Sequence, residues 1–309
     1  MCLILIFVSV NSIQAADINA TDSSINPIDN NSIQSDVNSH LNTSLDDSLN
    51  ETIKKNKTQL TSPTTSTYYK GSYHITLKDS NNTVLGNKTV TLRINNINYT
   101  AITDSNGVAN FNLKLNPGNY KSTIVFTGDD TYESCNLTSN FKVLSTIKAS
   151  NISKYYKGSK KYSATFFKSD GNYLANRYVK ITVNGKSYSV KTSSKGFVSI
   201  SVNLKPGTYK IVSSDPITGY KLTTTFKILS TISSSNLNKV AGDNKKFTAK
   251  FFKSNGKVLA KKYVKIKINS KTYKIKTNSY GNVNLYLKKL KAGTYKIVSY
   301  NNDGLSKKS

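Results

Sequence analysis

The sequence predicts an all-β protein built from tandem antiparallel β-sandwiches. Three observations support this fold class: one stretch of sequence occurs three times, apolar and polar residues alternate inside it, and turn residues recur about every 8–12 positions. A period of two is typical of a strand with one buried face. Helical periodicity is nearly absent from the repeats, so each repeat is expected to be a small sandwich of two sheets.

The repeated stretch covers residues 90–120, 179–209 and 264–295. One glycine lies at the same place in each copy, at Gly107, Gly196 and Gly281. A second motif, FKVLSTI at 141–147, returns as FKILSTI at 226–232. These positions give a period of roughly 85 residues, which is too long for a solenoid unit and fits a small domain.

Strand and turn signals are clearest in the second copy. Apolar residues occupy every second position of 179–183, and the Asn184-Gly185 pair that follows predicts a tight hairpin. Alternation returns over 198–204, and Pro206-Gly207 predicts a type II turn in which the glycine takes a positive φ. Residues 221–229 are expected to form the strand that closes the sandwich.

These patterns divide the chain into five segments. We expect a signal peptide at 1–16, a disordered linker rich in Asn, Ser and Thr at 17–67, and repeats at 68–147, 148–231 and 232–309. The apolar leader lacks a basic start, so either its beginning is missing or the apolar run is fortuitous. In the linker, apolar residues four apart from Ile33 to Ile53 also fit one face of a helix.

The third repeat is expected to be incomplete. It reaches Ser309 soon after Tyr295 without an FKIL-like strand, so its last strand is predicted to be missing. Either the chain is a fragment of a longer protein, or a strand from elsewhere fills the gap by β-augmentation. The joints between repeats, at 145–150 and 230–235, are short, so limited bending is expected.

Charge is distributed unevenly along the chain. The net charge of +28 comprises −4 over residues 16–67, +2 in the first repeat, +13 in the second and +17 in the third. Arg93 and Arg177 are the only arginines among 44 cations, and bidentate recognition of bases and phosphates favours arginine. The composition therefore predicts salt-sensitive binding to acidic polymers. A non-specific nucleic-acid binder remains an alternative, and specific nucleic-acid recognition is not expected.

One constellation of side chains predicts a binding surface. In the third repeat, alternation places four lysines on the outer face of one hairpin: Lys265, Lys267, Lys274 and Lys276. Like charges opposite one another weaken a sheet, and a polyanion would relieve that repulsion. We expect this face to bind acidic glycans or wall polymer, with Tyr178 and Tyr263 as stacking neighbours. Alternatively, the lysines only solubilise the face and block edge pairing.

No catalytic or cofactor site is predicted. His40 and His74 lack a companion ligand or nucleophile, and His74 is expected to be a surface strand residue. Asp129 and Asp130 either bind calcium weakly or cap a turn. Asp170 and Asp215 lie in turn-like sequence, which argues against a buried Lys–Asp isopeptide bond in the second repeat.

Processing and modification signals point to an extracellular setting. No segment after the leader approaches the roughly 20 apolar residues of a membrane-spanning helix. Loss of the leader would leave Cys135 alone, either as an ordinary packed residue or as a partner in an intermolecular disulfide. Glycosylation sequons occur at Asn19, Asn30, Asn42, Asn50, Asn56, Asn81, Asn87, Asn98, Asn136 and Asn151.

The repeats also resemble a known group of surface proteins. The similarity is carried by DSNGVA at 104–109, by PGNY at 117–120 and by FTGDDTY at 126–132, and it covers about 68–309. In these motifs the chain resembles bacterial-type Ig-like repeats of invasin-like and adhesin-like proteins, most of all adhesin-like surface proteins of methanogenic archaea.

The resemblance carries its own functional expectations. It implies tandem Ig-like sandwiches that serve in adhesion or spacing on a secreted or cell-surface protein, and no catalysis. Its partners would be cell-surface or wall polymers such as acidic glycans, or another surface protein. An alternative is the non-catalytic repeat arm of a larger wall-active enzyme.

Overall fold

The computed structural model of the protein describes residues 54–308, which form 23 strands and no helix. The predicted fold class, tandem Ig-like β-sandwiches, is confirmed for this range. The signal-peptide prediction and most of the linker prediction lie outside the described residues.

The strands fall into three sandwiches. The first contains β1 Thr58–Thr61, β2 Ser66–Tyr68, β3 Ser72–Asp79, β4 Thr89–Ile94, β5 Ile97–Ile102, β6 Val108–Asn112, β7 Gly118–Phe126 and β8 Cys135–Leu144. The second contains β9 Ile147–Ala149, β10 Ile152–Tyr155, β11 Tyr162–Phe166, β12 Tyr178–Val183, β13 Lys186–Lys191, β14 Phe197–Ile200, β15 Gly207–Ser214 and β16 Lys221–Leu229. The third contains β17 Ile232–Ser234, β18 Lys246–Phe251, β19 Tyr263–Ile268, β20 Lys271–Lys276, β21 Asn282–Tyr286, β22 Ile297–Tyr300 and β23 Ser306–Lys308.

Each sandwich packs a larger sheet against a three-stranded one. The larger sheets have the orders β2-β8-β7-β4-β5, β10-β16-β15-β12-β13 and β20-β19-β22-β23. The smaller sheets are β1-β3-β6, β9-β11-β14 and β17-β18-β21. The pairs β2–β8 and β10–β16 are parallel, and the other paired strands are antiparallel. The same topology is therefore built twice in full and a third time with a shortened larger sheet.

Period-two alternation creates one core per sandwich. In the second sandwich, Val179, Ile181 and Val183 of β12 point inward and are buried, whereas the residues between them face outward. Phe226 and Ile228 of the closing strand β16 fill the same core. Because the outward positions touch no core, they can vary from one sandwich to the next.

The structure extends the first sandwich beyond its expected boundary. Residues 58–67 were expected in the linker, but they form β1 and most of β2, and Leu60 is buried in the core. β1 occupies the position that β9 and β17 take in the later sandwiches. These strands are three or four residues long, which is too short for an alternation signal in the sequence.

The hairpin prediction is confirmed and the type II turn prediction is wrong. Asn184 and Gly185 both take positive φ, of 47° and 79°, as a two-residue type I′ hairpin requires. Gly207 does not take a positive φ and instead begins β15. A Cβ at Gly207 would lie 3.1 Å from the hydroxyl of Tyr209, which donates to the carbonyl of Lys205 at 2.8 Å. The glycine therefore makes room for a tyrosine ring.

A buried threonine forms hydrogen bonds to the backbone of the loop at one end of each larger sheet. Thr192 Oγ1 donates to the carbonyl of Leu174 at 2.5 Å and accepts from the amide of Arg177 at 3.0 Å. The equivalent threonines, Thr103 and Thr277, make the same pair of bonds in the other sandwiches. All three threonines are almost completely buried, and their bonds to the carbonyls are buried as well.

The two joints between sandwiches are built alike. Tyr68 packs on Phe167 and Tyr155 packs on Phe252, both with ring centroids 5.4 Å apart. Beneath each tyrosine lies a glycine, Gly171 in the first joint and Gly256 in the second; a Cβ at either would come within 3.0 Å of the ring. The connecting residues Thr146 and Thr231 are fully buried. Both linkers are thus packed into the sandwich that follows.

Thr192→Val tests the contribution of the Thr192 hydrogen bonds to stability, because valine keeps the shape of the side chain and removes its hydroxyl group. The variant leaves the buried carbonyl of Leu174 and the partly buried amide of Arg177 without their partner, so the free energy of unfolding should fall by about 1–3 kcal/mol. Chemical denaturation measures this change. Thr208→Val, at an exposed position of β15, is the control and should change stability by less than about 0.5 kcal/mol. Equal effects of the two variants would contradict the assignment.

Candidate functional site: the basic face of the third sandwich

The four predicted lysines lie on the outer face of the larger sheet of the third sandwich. Lys265 and Lys267 project from β19, and Lys274 and Lys276 project from the edge strand β20; all four are exposed. Strand register places Lys265 directly opposite Lys274, and Tyr263 opposite Lys276. We call this surface, together with Thr272 and Tyr300, the basic face.

The basic face contains a shallow groove of about 580 Å³. Its floor is the sheet, and its polar lining is Tyr263, Lys265, Lys267, Thr272, Lys274, Tyr300, Asn301 and Asn302. Tyr263 and Tyr300 are 53% and 38% exposed, so part of each side chain is accessible to a ligand. Lys276 lies at the margin of the groove and does not line it.

The lysine charges of this face are not balanced by carboxylates. Between residues 54 and 308 the one salt bridge whose two partners are both described joins Lys88 and Asp129, in the first sandwich. Lys274 instead places its ammonium 5.0 Å from the centre of the Tyr263 ring, within cation–π range. Directly opposed like charges at 265 and 274 destabilise the hairpin. A bound polyanion would remove that repulsion.

The equivalent faces of the other two sandwiches provide an internal comparison. At the positions of Lys267, Lys274 and Tyr300, the second sandwich carries Thr182, Ser189 and Ser214. It keeps Tyr178, Lys180 and Lys191 at the remaining positions. In the first sandwich the matching hairpin positions hold one cation, Arg93, beside Thr91, Thr100 and Ile102. The fold is common to all three, so it does not require the lysines.

The sequence identified the lysines but missed half of the groove. Tyr300, Asn301 and Asn302 lie far downstream of the four lysines in the chain, and only the pairing of β19 with β22 brings Tyr300 beside Lys265. The expected stacking residue Tyr263 lines the groove. Tyr178 lies on the second sandwich, where it is 65% exposed.

Two of the other candidate residues, Asp129 and His74, make hydrogen bonds within the first sandwich, and His40 lies outside the described residues. Asp129 accepts hydrogen bonds from the ammonium of Lys88 and from two amides of its own turn. The Lys88 hydrogen bond, helped by those amides, holds the pKa of the Asp129 carboxyl below its usual value. His74 is exposed and hydrogen-bonds Asn110. In the described part of the chain, no three His, Cys, Asp or Glu residues are grouped as metal ligands.

Asp170 and Asp215 both accept hydrogen bonds from the amides of their own turns. The buried Lys154 donates to the carbonyl of Gly158 at 3.0 Å. Desolvation lowers the pKa of its ammonium. Asp170, Asp215 and Lys154 therefore each hydrogen-bond nearby backbone groups of the second sandwich.

The structure shows the exposure of two kinds of residue that the sequence predicts to be modified. The described sequon residues are all exposed: Asn56, Asn81, Asn87, Asn98, Asn136 and Asn151. The sequons at Asn19, Asn30, Asn42 and Asn50 lie outside the described residues. Cys135 is half-buried and free, and burial raises the pKa of its thiol. A raised pKa keeps the thiol protonated and slow to react.

Comparison with known proteins supports the fold. Residues 163–246 match the model of the SpaA family, described as a prealbumin-like fold domain. This match covers one repeat period, from β11 to the first residue of β18, and therefore less than half of the chain. No curated protein matches the sequence. Residues 54–308 contain no helix with the length and apolar character needed to cross a membrane.

The solved structures that match this chain are distant from it. They include a Ca²⁺-stabilised adhesin with which an Antarctic bacterium binds ice, at 16% identity over 83% of this chain and 72% of that one, with a TM-score of 0.21. A second is the glucan-utilisation protein SGBP-B of Bacteroides ovatus, at 15% identity over 82% and 66%, with a TM-score of 0.24. A third is the FN1–FN3 segment of chicken CNTN1, at 10% identity over 83% and 97%, with a TM-score of 0.22. At these TM-scores they carry no argument about function.

Lys265→Gln tests whether the opposed lysines strain the hairpin. Removing the charge while keeping a polar side chain should raise the free energy of unfolding by about 0.2–1 kcal/mol at low salt, because Lys274 loses its like-charged neighbour. The gain should shrink in about 1 M salt, where the charges are screened. Lys288→Gln, at an exposed position after β21, is the control. A gain independent of salt would show that repulsion is not its cause.

Proposed function

We propose that this chain is a non-enzymatic adhesion module of a secreted or cell-surface protein, and that its basic face binds an acidic polysaccharide. The first two sandwiches act as spacers that carry the third. The observation that carries the proposal is the difference between three copies of one hairpin. Copies that share a fold hold one, two and four cations at matched outer positions, and the copy with most cations also has two exposed tyrosines in the lining of its groove.

The chemistry of the groove fits a sugar polymer with regularly spaced negative charges. Lysine ammonium groups supply charge without the fixed fork that base recognition uses. Exposed tyrosine rings offer apolar faces to sugar rings, and asparagine amides offer hydrogen bonds. The groove is open along the outer face of a sheet, which suits an extended polymer better than an enclosed small molecule.

The tandem arrangement supports the spacer role. In both joints the linker threonine is buried and a tyrosine ring packs on a glycine of the next sandwich. These contacts restrict bending between sandwiches. A similarity to adhesin-like proteins of methanogenic archaea remains part of the proposal and rests on the motifs at 104–132 alone. The wall-polymer partner and the surface location are also part of the proposal and rest on the same motifs.

The direct test replaces Lys265, Lys267, Lys274 and Lys276 by glutamine in the full chain. Retention on an immobilised acidic polysaccharide should fall, so that the variant elutes at clearly lower salt, because exposed charges act through screened electrostatic attraction. The control replaces four exposed lysines of the second sandwich, Lys160, Lys161, Lys195 and Lys205, and thus makes the same change in net charge. Equal losses in both variants, or no loss in either, would contradict the proposal.

A further inference from the structure

The three sandwiches differ at one edge of the larger sheet. β5, β13 and β20 are matched edge strands, and within residues 54–308 each is paired on one side only, with β4, β12 or β19. An edge strand offers unpaired backbone groups to any other strand, and proteins commonly prevent such pairing with lysine side chains on the edge. The residues at these three edges therefore indicate whether each edge is meant to stay unpaired.

Lysine occupies both ends of two of these strands and neither end of the first. The strands of the later sandwiches begin and end with a lysine: Lys186 and Lys191 in β13, and Lys271 and Lys276 in β20. Strand register places Ile97 and Ile102 at the same two positions of β5. These isoleucines are 55% and 63% exposed, and β5, with the sequence INYTAI, has no charged residue. The first edge thus exposes apolar side chains where its counterparts expose cations.

The backbone of β5 has hydrogen-bonding groups that point away from its sheet. The two-residue turn at 95–96 takes positive φ at both positions, so Ile97 hydrogen-bonds back to β4. Just after the strand, the amide of Thr103 donates to the carbonyl of Lys88 at 2.9 Å, again toward the β4 side. Hydrogen bonding alternates along an antiparallel strand. The backbone groups that point to the open edge therefore belong to Asn98, Thr100 and Ile102.

We infer that β5 pairs with β5 of a second copy of this chain, so that two first sandwiches share one continuous larger sheet. The two strands run antiparallel about a twofold axis that passes between the two copies of Thr100. Asn98 of each copy then lies opposite Ile102 of the other. This register pairs every outward backbone group of the three residues and brings Ile97 and Ile102 against the second copy. The interface is separate from the basic face and does not depend on the proposed function.

The distribution of charge favours a second copy at this edge. The first repeat has a net charge of +2, against +13 and +17 in the later repeats, so two first sandwiches meet with little repulsion. β5 runs opposite to β8, the strand that leads into the second sandwich, because β8, β7, β4 and β5 are successive antiparallel neighbours. Antiparallel pairing of two copies therefore directs their basic sandwiches away from each other.

Self-complementarity favours β5 itself as the partner strand. A twofold interface uses the same patch on both partners, and a strand without charged residues can face its own copy without opposing like charges. Of the three matched edge strands, β5 alone meets this condition, because β13 and β20 would oppose lysines. One strand pair buries a small area, so the expected dimer is weak and concentration-dependent.

Sedimentation equilibrium of the full chain tests the inference. The chain is produced without glycans, because a glycan at the Asn98 sequon would stand beside this edge. We expect a monomer–dimer equilibrium that strengthens as salt rises, since salt screens the repulsion between two chains of charge +28. Binding of a polyanion to the basic face weakens with salt, so the two interactions are distinguishable.

A pair of lysine substitutions gives the first edge the protection that the second has. Ile97→Lys together with Ile102→Lys should weaken dimerisation at least about tenfold, because both charges fall at the paired edge. Thr65→Lys together with Asn140→Lys adds the same charge at exposed positions beside the opposite edge of the same sheet. This matched control should change dimerisation less than about threefold, because distant exposed charges are screened.

Cysteine cross-linking measures the register, in a chain with Cys2→Ser and Cys135→Ser. Thr100→Cys brings two thiols together at the twofold axis, where the Cα atoms of a hydrogen-bonded pair lie about 5.5 Å apart, within disulfide range. Asn98→Cys is the matched control, because the two copies of that residue lie about 14 Å apart along the strands. We expect an intermolecular disulfide from the Thr100→Cys variant alone.

Each measurement has an outcome that overturns the inference. These outcomes are a monomer at every concentration, a dimer that weakens as salt rises, equal effects of the two lysine pairs, or a Thr100→Cys variant that cross-links no better than Asn98→Cys. Hydrogen exchange identifies the occupant, since the amides of residues 98, 100 and 102 should become protected only as the dimer forms. Protection of these amides in the monomer would show that another part of the same chain covers the edge, which would also overturn it.

Discussion

The closing strand is the constraint on which this structure depends. In the two complete sandwiches, the aromatic and aliphatic side chains of β8 and β16 fill the centre of the core. The backbones of these two strands pair with a neighbouring strand on each side. The chain then passes directly through Ser-Thr-Ile into the next sandwich, where the isoleucine enters the next core. One segment therefore completes one domain and fixes the start of another, which explains why FKVLSTI and FKILSTI recur as a unit.

The outer faces of the larger sheets are not subject to this packing constraint. An outward residue of β4, β12 or β19 touches no core, so it can change without altering the sheet. The first sandwich uses that freedom for threonine, the second for a mixture, and the third for lysine and tyrosine. The third face carries directly opposed lysines in a protein whose described carboxylates are few, an arrangement expected to cost stability. We propose that residues kept at such a cost serve binding rather than solubility.

Sequence reasoning succeeded where the signal is local. Alternation placed the strands, Asn-Gly placed the hairpin, and the same alternation put four lysines on one face. It failed where the cause is a contact between distant residues. The glycine before Tyr209 looked like a turn residue, but its role is to accommodate a ring. Tyr300, Asn301 and Asn302 join the basic face only through strand pairing. Strands β1 and β2 were assigned to the linker because a three- or four-residue strand leaves no periodic pattern.

The most direct test of the account is to build the basic face a second time. Thr182→Lys, Ser189→Lys and Ser214→Tyr, introduced together, give the second sandwich the residues that Lys267, Lys274 and Tyr300 supply in the third. Calorimetric titration with an acidic oligosaccharide short enough to cover one face should then report two binding sites per chain in place of one. If the unmodified chain binds at none, the basic face is not a binding site; if the grafted chain stays folded and still binds at one site, the lysines and tyrosines do not bind the polymer without the asparagines of the groove.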